Sequence, residues 1–141
     1  MDIRRIKILF LIDMLLPAGT EKQVIALAEG LPRTTFDPVI GVLEGSDYLH
    51  TLKLNTPVVN FQRQGAPLLK SIRLIRALVA HLARERYDIV QTHFIDAAIC
   101  GAIAVRLTRP RPHLIGTRRN TYHWVRDEPW TRPDSESFSS M

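Results

Sequence analysis

The sequence predicts an α/β domain, an open parallel sheet with helices on both faces. Two observations carry this. Short apolar runs rich in β-branched residues alternate with longer stretches of helical periodicity. Proline, glycine, asparagine or aspartate punctuates most of the junctions between them. Strands that alternate with helices of this length join through crossovers, which cover a parallel sheet on both sides. The 141 residues suffice for one domain with a real core, and a 45% hydrophobic, 23% charged composition is that of an ordinary globular chain.

Residues 6–13 form a near-continuous apolar run, the signature of a strand buried on both faces. Pro17 and Gly19 then let the backbone turn, and residues 21–29 read as a helix. Thr20 is placed to cap it, with Gln23 completing a capping box. Strand, glycine turn and helix N-terminus in that order offer a seat for a negatively charged group on exposed N–H donors. Gly30-Leu31-Pro32 stops the helix. Residues 38–43 are the second strand, Glu44-Gly45-Ser46-Asp47 a turn, 48–54 a short helix and 58–61 a third, short strand.

The longest periodic segment, residues 68–86, carries Leu68, Ile72, Ile75, Leu78, Val79 and Leu82 at helical spacing. At 1.5 Å per residue it is expected to run roughly 28 Å. Residues 89–93 are the fourth strand, ending at His93. Residues 96–107 form a helix whose Ala97, Ala98, Gly101, Ala102 and Ala104 allow close approach to a sheet. Arg109-Pro110-Arg111-Pro112 ends it, and residues 113–117 are the fifth strand, leading into Arg118, Arg119 and Asn120. Right-handed crossovers make a Rossmann-like order the expected topology. Residues 1–125 are assigned to this domain. Residues 126–141, polar and serine-rich, read as a disordered tail.

Several function classes fall away. No apolar run reaches the roughly 18 residues a membrane-spanning helix needs. The N-terminal run contains Lys7 and Asp13 and flows into a capped helix, unlike a signal peptide. The single cysteine, Cys100, excludes an internal disulfide and suits a reducing compartment, so a cytoplasmic location is expected. A net charge of +5 permits anionic partners, but no nucleic-acid-binding motif accompanies it. Gly-x-Gly-x-x-Gly and P-loop signatures are absent, as is a nucleophile elbow. A phosphoacceptor would need a second acid where Asn60-Phe61-Gln62 stands. The five histidines lack metal-ligand spacing, so no metal is expected.

In an open parallel sheet, ligands bind beyond the carboxyl ends of the strands. Those ends supply 13–20, Gln62-Arg63-Gln64-Gly65, Thr92-His93 and Thr117-Arg118-Arg119-Asn120. In the doubly wound order the first and fourth strands are neighbours, which places Gly19 and His93 across one crevice.

Ala18-Gly19-Thr20-Glu21 after a strand, Asp88-Ile89-Val90-Gln91-Thr92-His93, and Ile115-Gly116-Thr117-Arg118-Arg119-Asn120, in that order and spacing, resemble the N-terminal half of family-4 glycosyltransferases. The resemblance covers residues 6–124. It implies one Rossmann-like half of a two-domain GT-B fold, with the active site between the halves. It further implies a retaining transferase that moves a sugar from a nucleotide-sugar donor to a sugar or lipid-linked acceptor in polysaccharide or cell-envelope assembly, without cofactor or metal. By that resemblance Ala18, Gly19 and Thr20 lie near donor phosphate and acceptor, with Ala18 where paired glycines are usual. His93 lies near the transferring sugar, and Arg118 and Arg119 serve acceptor or phosphate recognition. The family's donor-binding domain, with its paired glutamates, has no counterpart in the sequence, so the isolated chain is expected to be inactive. Two alternatives are a non-enzymatic partner subunit docking on a donor-binding chain and an inactive truncated product. The basic helix 68–86 also fits peripheral contact with an anionic membrane surface, against a plain core-packed helix with a solvated face.

Overall fold

The computed structural model describes residues 4–62 and 67–117, with side chains from 71 onward in the second stretch. Five strands and four helices alternate: β1 (Ile6–Ile12), α1 (Gly19–Gly30), β2 (Phe36–Val42), α2 (Asp47–Thr51), β3 (Val58–Asn60), α3 (Pro67–Glu85), β4 (Ile89–His93), α4 (Ile95–Leu107) and β5 (His113–Thr117). All pairings are parallel and the order is β3-β2-β1-β4-β5. The expected open α/β sheet is therefore observed, with β1 and β4 adjacent and Ile12 in register with His93.

Alternation along β1 sends its side chains into two cores. Leu9 and Leu11 join Leu74, Leu78 and Leu82 of α3 and Ala97, Ala104 and Val105 of α4. Ile8, Phe10 and Ile12 join Val24 and Ala28 of α1 with Ile40 and Val42 of β2. The buried stripe of α3 thus runs through Leu74, Leu78 and Leu82, whereas Ile72, expected on the apolar face, is 48% exposed. The small residues of α4 do what their size allows. Ala97, Gly101 and Ala104 are buried, and a Cβ on Gly101 would stand 2.7 Å from Thr92 Cγ2.

β2 starts at Phe36, earlier than its proline suggests. Ile40 donates its N–H to Pro57 on the β3 side at 2.9 Å, and Pro38 shares that parity. The β3 ladder begins only at Ile40, so the donor that Pro38 lacks has no ladder partner to lose. β5 is the last strand among the described residues, and its Leu114 and Ile115 are 42% and 44% exposed.

Behind the sheet, His81 of α3 is buried, its Nε2 2.7 Å from the Tyr87 hydroxyl. Burial lowers the His81 pKa, with Glu85 opposing and Arg84 and Lys7 assisting. Burial likewise pushes the Tyr87 phenol up. A neutral ring sharing a hydrogen bond with a hydroxyl suits that interior position.

Candidate functional site

The carboxyl edge of the sheet brings together the loop after β1, the start of α1, the end of β4 and the start of α4. The loop turns on Leu16 and Pro17, Ala18 donating its N–H to the Leu16 carbonyl at 2.8 Å. Ala18 is the N-cap residue, in extended geometry, and no side chain caps the helix. This corrects the expected Thr20 cap and its capping box: α1 begins two residues earlier, and Thr20 lies inside its first turn. An alanine methyl accepts no hydrogen bond, so the leading N–H groups of α1 lack the side-chain acceptor that usually satisfies one of them. Gly19 is exposed, and a Cβ there would meet nothing within 4 Å. Backbone geometry therefore does not require this glycine. What its missing side chain provides is an unobstructed approach to the helix start.

One residue to which the sequence analysis gives no role sits beneath that start. Glu21, in the first turn of α1, is only 5% exposed and shares the inward face with Val24 and Ala28. Its carboxylate has no hydrogen-bond or ion-pair partner among the described residues, although the positive end of the helix stabilises a negative charge there. The signal was its spacing: positions 21, 24 and 28 fall on one helical face.

At the neighbouring strand end, His93 is 2% exposed. Thr117 Oγ1 donates to the Thr92 carbonyl at 2.8 Å, which leaves its oxygen to accept from His93 Nδ1, also at 2.8 Å. That arrangement selects the Nδ1–H tautomer and makes Nε2 the basic nitrogen. The Gln91 amide nitrogen lies 3.5 Å from that atom. Phe10 packs nearby, its ring centroid 6.4 Å from the imidazole. The turn that follows is a single residue, Phe94, with φ of 70°. A bulky side chain in left-handed geometry costs on the order of 1–3 kcal/mol, strain of a kind that gathers at functional sites. It starts α4 immediately above the histidine.

Phe94 also leaves α4 without a cap of its own, and Asp13 supplies one from the loop after β1. Its Oδ1 accepts the N–H of Ala97 at 2.6 Å. Asp13 therefore ties the loop after β1 to the first turn of α4. The structure thus brings Ala18, Gly19, Thr20 and His93 to one edge of the sheet, on and beside adjacent strands. Gly19 lies at the surface and His93 is enclosed. Arg118, Arg119 and residues 126–141 lie outside the described residues.

An open parallel sheet in this order, with a glycine-led helix start and a buried histidine at its carboxyl edge, is a Rossmann-like α/β unit, a fold that by itself fixes no reaction. HepE of Anabaena, whose crystal structure was solved in complex with UDP and glucose, superposes with a TM-score of 0.62 at 25% identity. The match covers 79% of this chain and 29% of HepE, so this chain spans about a third of that protein's length. No curated protein matches the sequence. The profile of Glycosyltransferase Family 4 matches residues 17–139, and the chain belongs to that family.

Proposed function

We propose that this domain is the acceptor-side half of a retaining glycosyltransferase, taking a nucleotide-sugar donor and a sugar or lipid-linked acceptor, with no metal. The observation that carries the reading is the uncapped, glycine-led start of α1 at the same sheet edge as His93, in a chain of this family. Exposed N–H groups and the helix dipole suit a donor phosphate or an acceptor oxygen at Ala18, Gly19 and Thr20. His93, fixed as the Nδ1–H tautomer, would offer Nε2 to a sugar hydroxyl once the enclosing groups move. Arg118 and Arg119, which follow β5 in sequence, would add cationic contacts to the same ligand.

These residues provide one wall of a crevice. The other wall would be a donor-binding domain, on the same polypeptide or on a partner, and sugar transfer would require both. The partner-subunit alternative, a non-enzymatic role, called for an exposed apolar face at the carboxyl edge. Leu16 and Ile95 are exposed there, while Ile99, Ile103 and Leu107 lie along the flank of α4.

Amide chemical shifts of the 141-residue chain, followed during titration with UDP-glucose, test the binding reading. Gly19 and Thr20 are expected to move and Ala97 to stay. Gly19→Val is expected to weaken the response without loss of folding, because its side chain would project into open space. Unmoved amides at 19 and 20 would overturn the assignment, and sugar transfer by the purified chain alone would overturn the need for a second wall.

A further inference from the structure

The opposite edge of the sheet carries a second site. A cavity of about 650 Å³ opens at the amino ends of β1, β4 and β5, at the opposite edge from Gly19 and His93. Its lining is charged rather than apolar, which sets it apart from an ordinary small-molecule pocket of that size. Arg4, Arg5, Lys7, Arg86 and Arg111 supply five cations, with His113 beside them.

The acids in the lining do not cancel these charges. Glu85 takes the Lys7 ammonium at 2.8 Å, and Asp88 pairs with Arg4 while accepting the backbone N–H of Lys7 at 2.9 Å. Those contacts consume two of the three carboxylates and leave Asp37. Among the described residues, Arg5 and Arg111 meet neutral oxygens instead. Arg5 donates to the Arg33 carbonyl at 3.3 Å, and Arg111 lies 3.5 Å from that of Arg106. Arg86 has no ion pair among the described residues, and it occupies φ of 52° where the chain leaves α3. Glycine or asparagine takes that left-handed position at low cost, so an arginine there keeps its charge at the cavity mouth against a backbone preference. Arg5, Arg86 and Arg111 come from three separate segments that the sheet brings together.

We propose that this amino-edge cavity binds a multiply charged phosphate-bearing anion, either a soluble polyphosphate or the headgroup of an anionic lipid. Planar guanidinium groups converging from separate elements suit several phosphate oxygens at once. A cavity of about 650 Å³ has room for more than a single phosphate. The proposal is independent of the carboxyl-edge site, and neither fails with the other.

The test uses the 141-residue chain and two probes, inorganic tripolyphosphate and lipid vesicles. In calorimetry, tripolyphosphate is expected to bind with a saturable isotherm that weakens as salt rises. R86Q/R111Q is expected to bind at least about tenfold more weakly, the factor set by loss of one charge-assisted contact. R73Q/R76Q, which removes the same charge from the exposed face of α3, is expected to bind as the parent does. Co-sedimentation with phosphatidylglycerol vesicles, but not phosphatidylcholine, competed by tripolyphosphate and lost in R86Q/R111Q, would identify a lipid headgroup as the source. Tripolyphosphate binding without vesicle binding would identify a soluble anion. Absence of both, or equal weakening by the two double variants, overturns the proposal. R5Q, on a different segment, repeats the measurement should R86Q/R111Q fold poorly.

Discussion

Two helices start side by side at the carboxyl edge of this sheet, after the adjacent strands β1 and β4, and they start in opposite ways. α4 is fastened. Asp13 reaches across to accept the Ala97 N–H, Phe94 bends the chain into the helix without a linker, and Gly101 seats it against Thr92 and Leu11. α1 is left open, with Ala18 at the cap and Gly19 behind it. Both ends carry the same partial positive charge from aligned peptide dipoles. At α4 an acidic side chain from another segment, Asp13, accepts one of the leading N–H groups, whereas the acid in the first turn of α1, Glu21, lies on the inward face and accepts none among the described residues. The difference teaches that an anion seat is made as much by what a helix start lacks as by what it contains. The same loop serves both ends, withholding a cap from α1 and lending one to α4.

The largest expected effect comes from unseating α4. A Cβ at position 101 would meet Thr92 Cγ2 at 2.7 Å and Leu11 Cδ2 at 3.3 Å, and both neighbours are fully enclosed. Gly101→Val adds two further methyl groups without the helix-forming gain of alanine, and is expected to cost about 3 kcal/mol. Urea denaturation measures it; a loss below about 1 kcal/mol would mean that α4 shifts easily and is not held by this contact.

Next comes the borrowed cap. Asp13→Ala removes the acceptor of the Ala97 N–H and is expected to destabilise by about 1–2 kcal/mol. Asp13→Asn keeps an oxygen at that place and should lose less. Equal losses for the two substitutions would show that the charge, not the hydrogen bond, holds the helix. A smaller effect of opposite sign is expected at α1. Ala18 already has the extended backbone of a capping residue, φ −122° and ψ 170°. Ala18→Ser therefore needs no rearrangement to satisfy an open N–H, and is expected to add about 0.5–1 kcal/mol of stability. On the proposed function it should at the same time weaken the UDP-glucose response at Gly19, since the serine oxygen would occupy a donor which that proposal assigns to the ligand. Stabilisation with undiminished binding would separate the helix start from the site.

Much of this was legible in the chain. Apolar runs and helical periodicity located the nine elements of the described residues, β4 and β5 without error and the others to within three residues at their ends. The order of strands followed from crossover handedness, and with it the adjacency of β1 and β4. The misreadings have local causes. Thr20 looked like a cap because residue type outweighed the turn that closes on Leu16 and Pro17, and helix propensity says nothing about where the first turn closes. Pro38 looked like a boundary because the sequence does not reveal how far β3 extends along β2. Ile72 looked buried because a stripe one position wide can be drawn on either side of Leu74. The Asp13–Ala97 bond joins a loop residue to a helix 84 positions away in the chain, and the Phe94 turn defies its residue type. Neither leaves a periodic trace.

pH separates the edge from the scaffold beneath it. Burial holds the His81 pKa below its ordinary 6.5, so the folded protein keeps this ring neutral where the unfolded chain would protonate it. The stability this contributes is fully present above about pH 6.5 and is lost as pH falls through the folded value. His81→Gln is expected to lower overall stability yet flatten the pH dependence between neutral and mildly acidic conditions. Ala18→Ser should leave that slope unaltered, because the α1 start lies in the other core layer from His81. Urea midpoints for the two variants across that range decide the matter. A slope that survives in His81→Gln would assign the pH sensitivity to another group, and one that vanishes in Ala18→Ser would couple the open helix start to the packing behind the sheet.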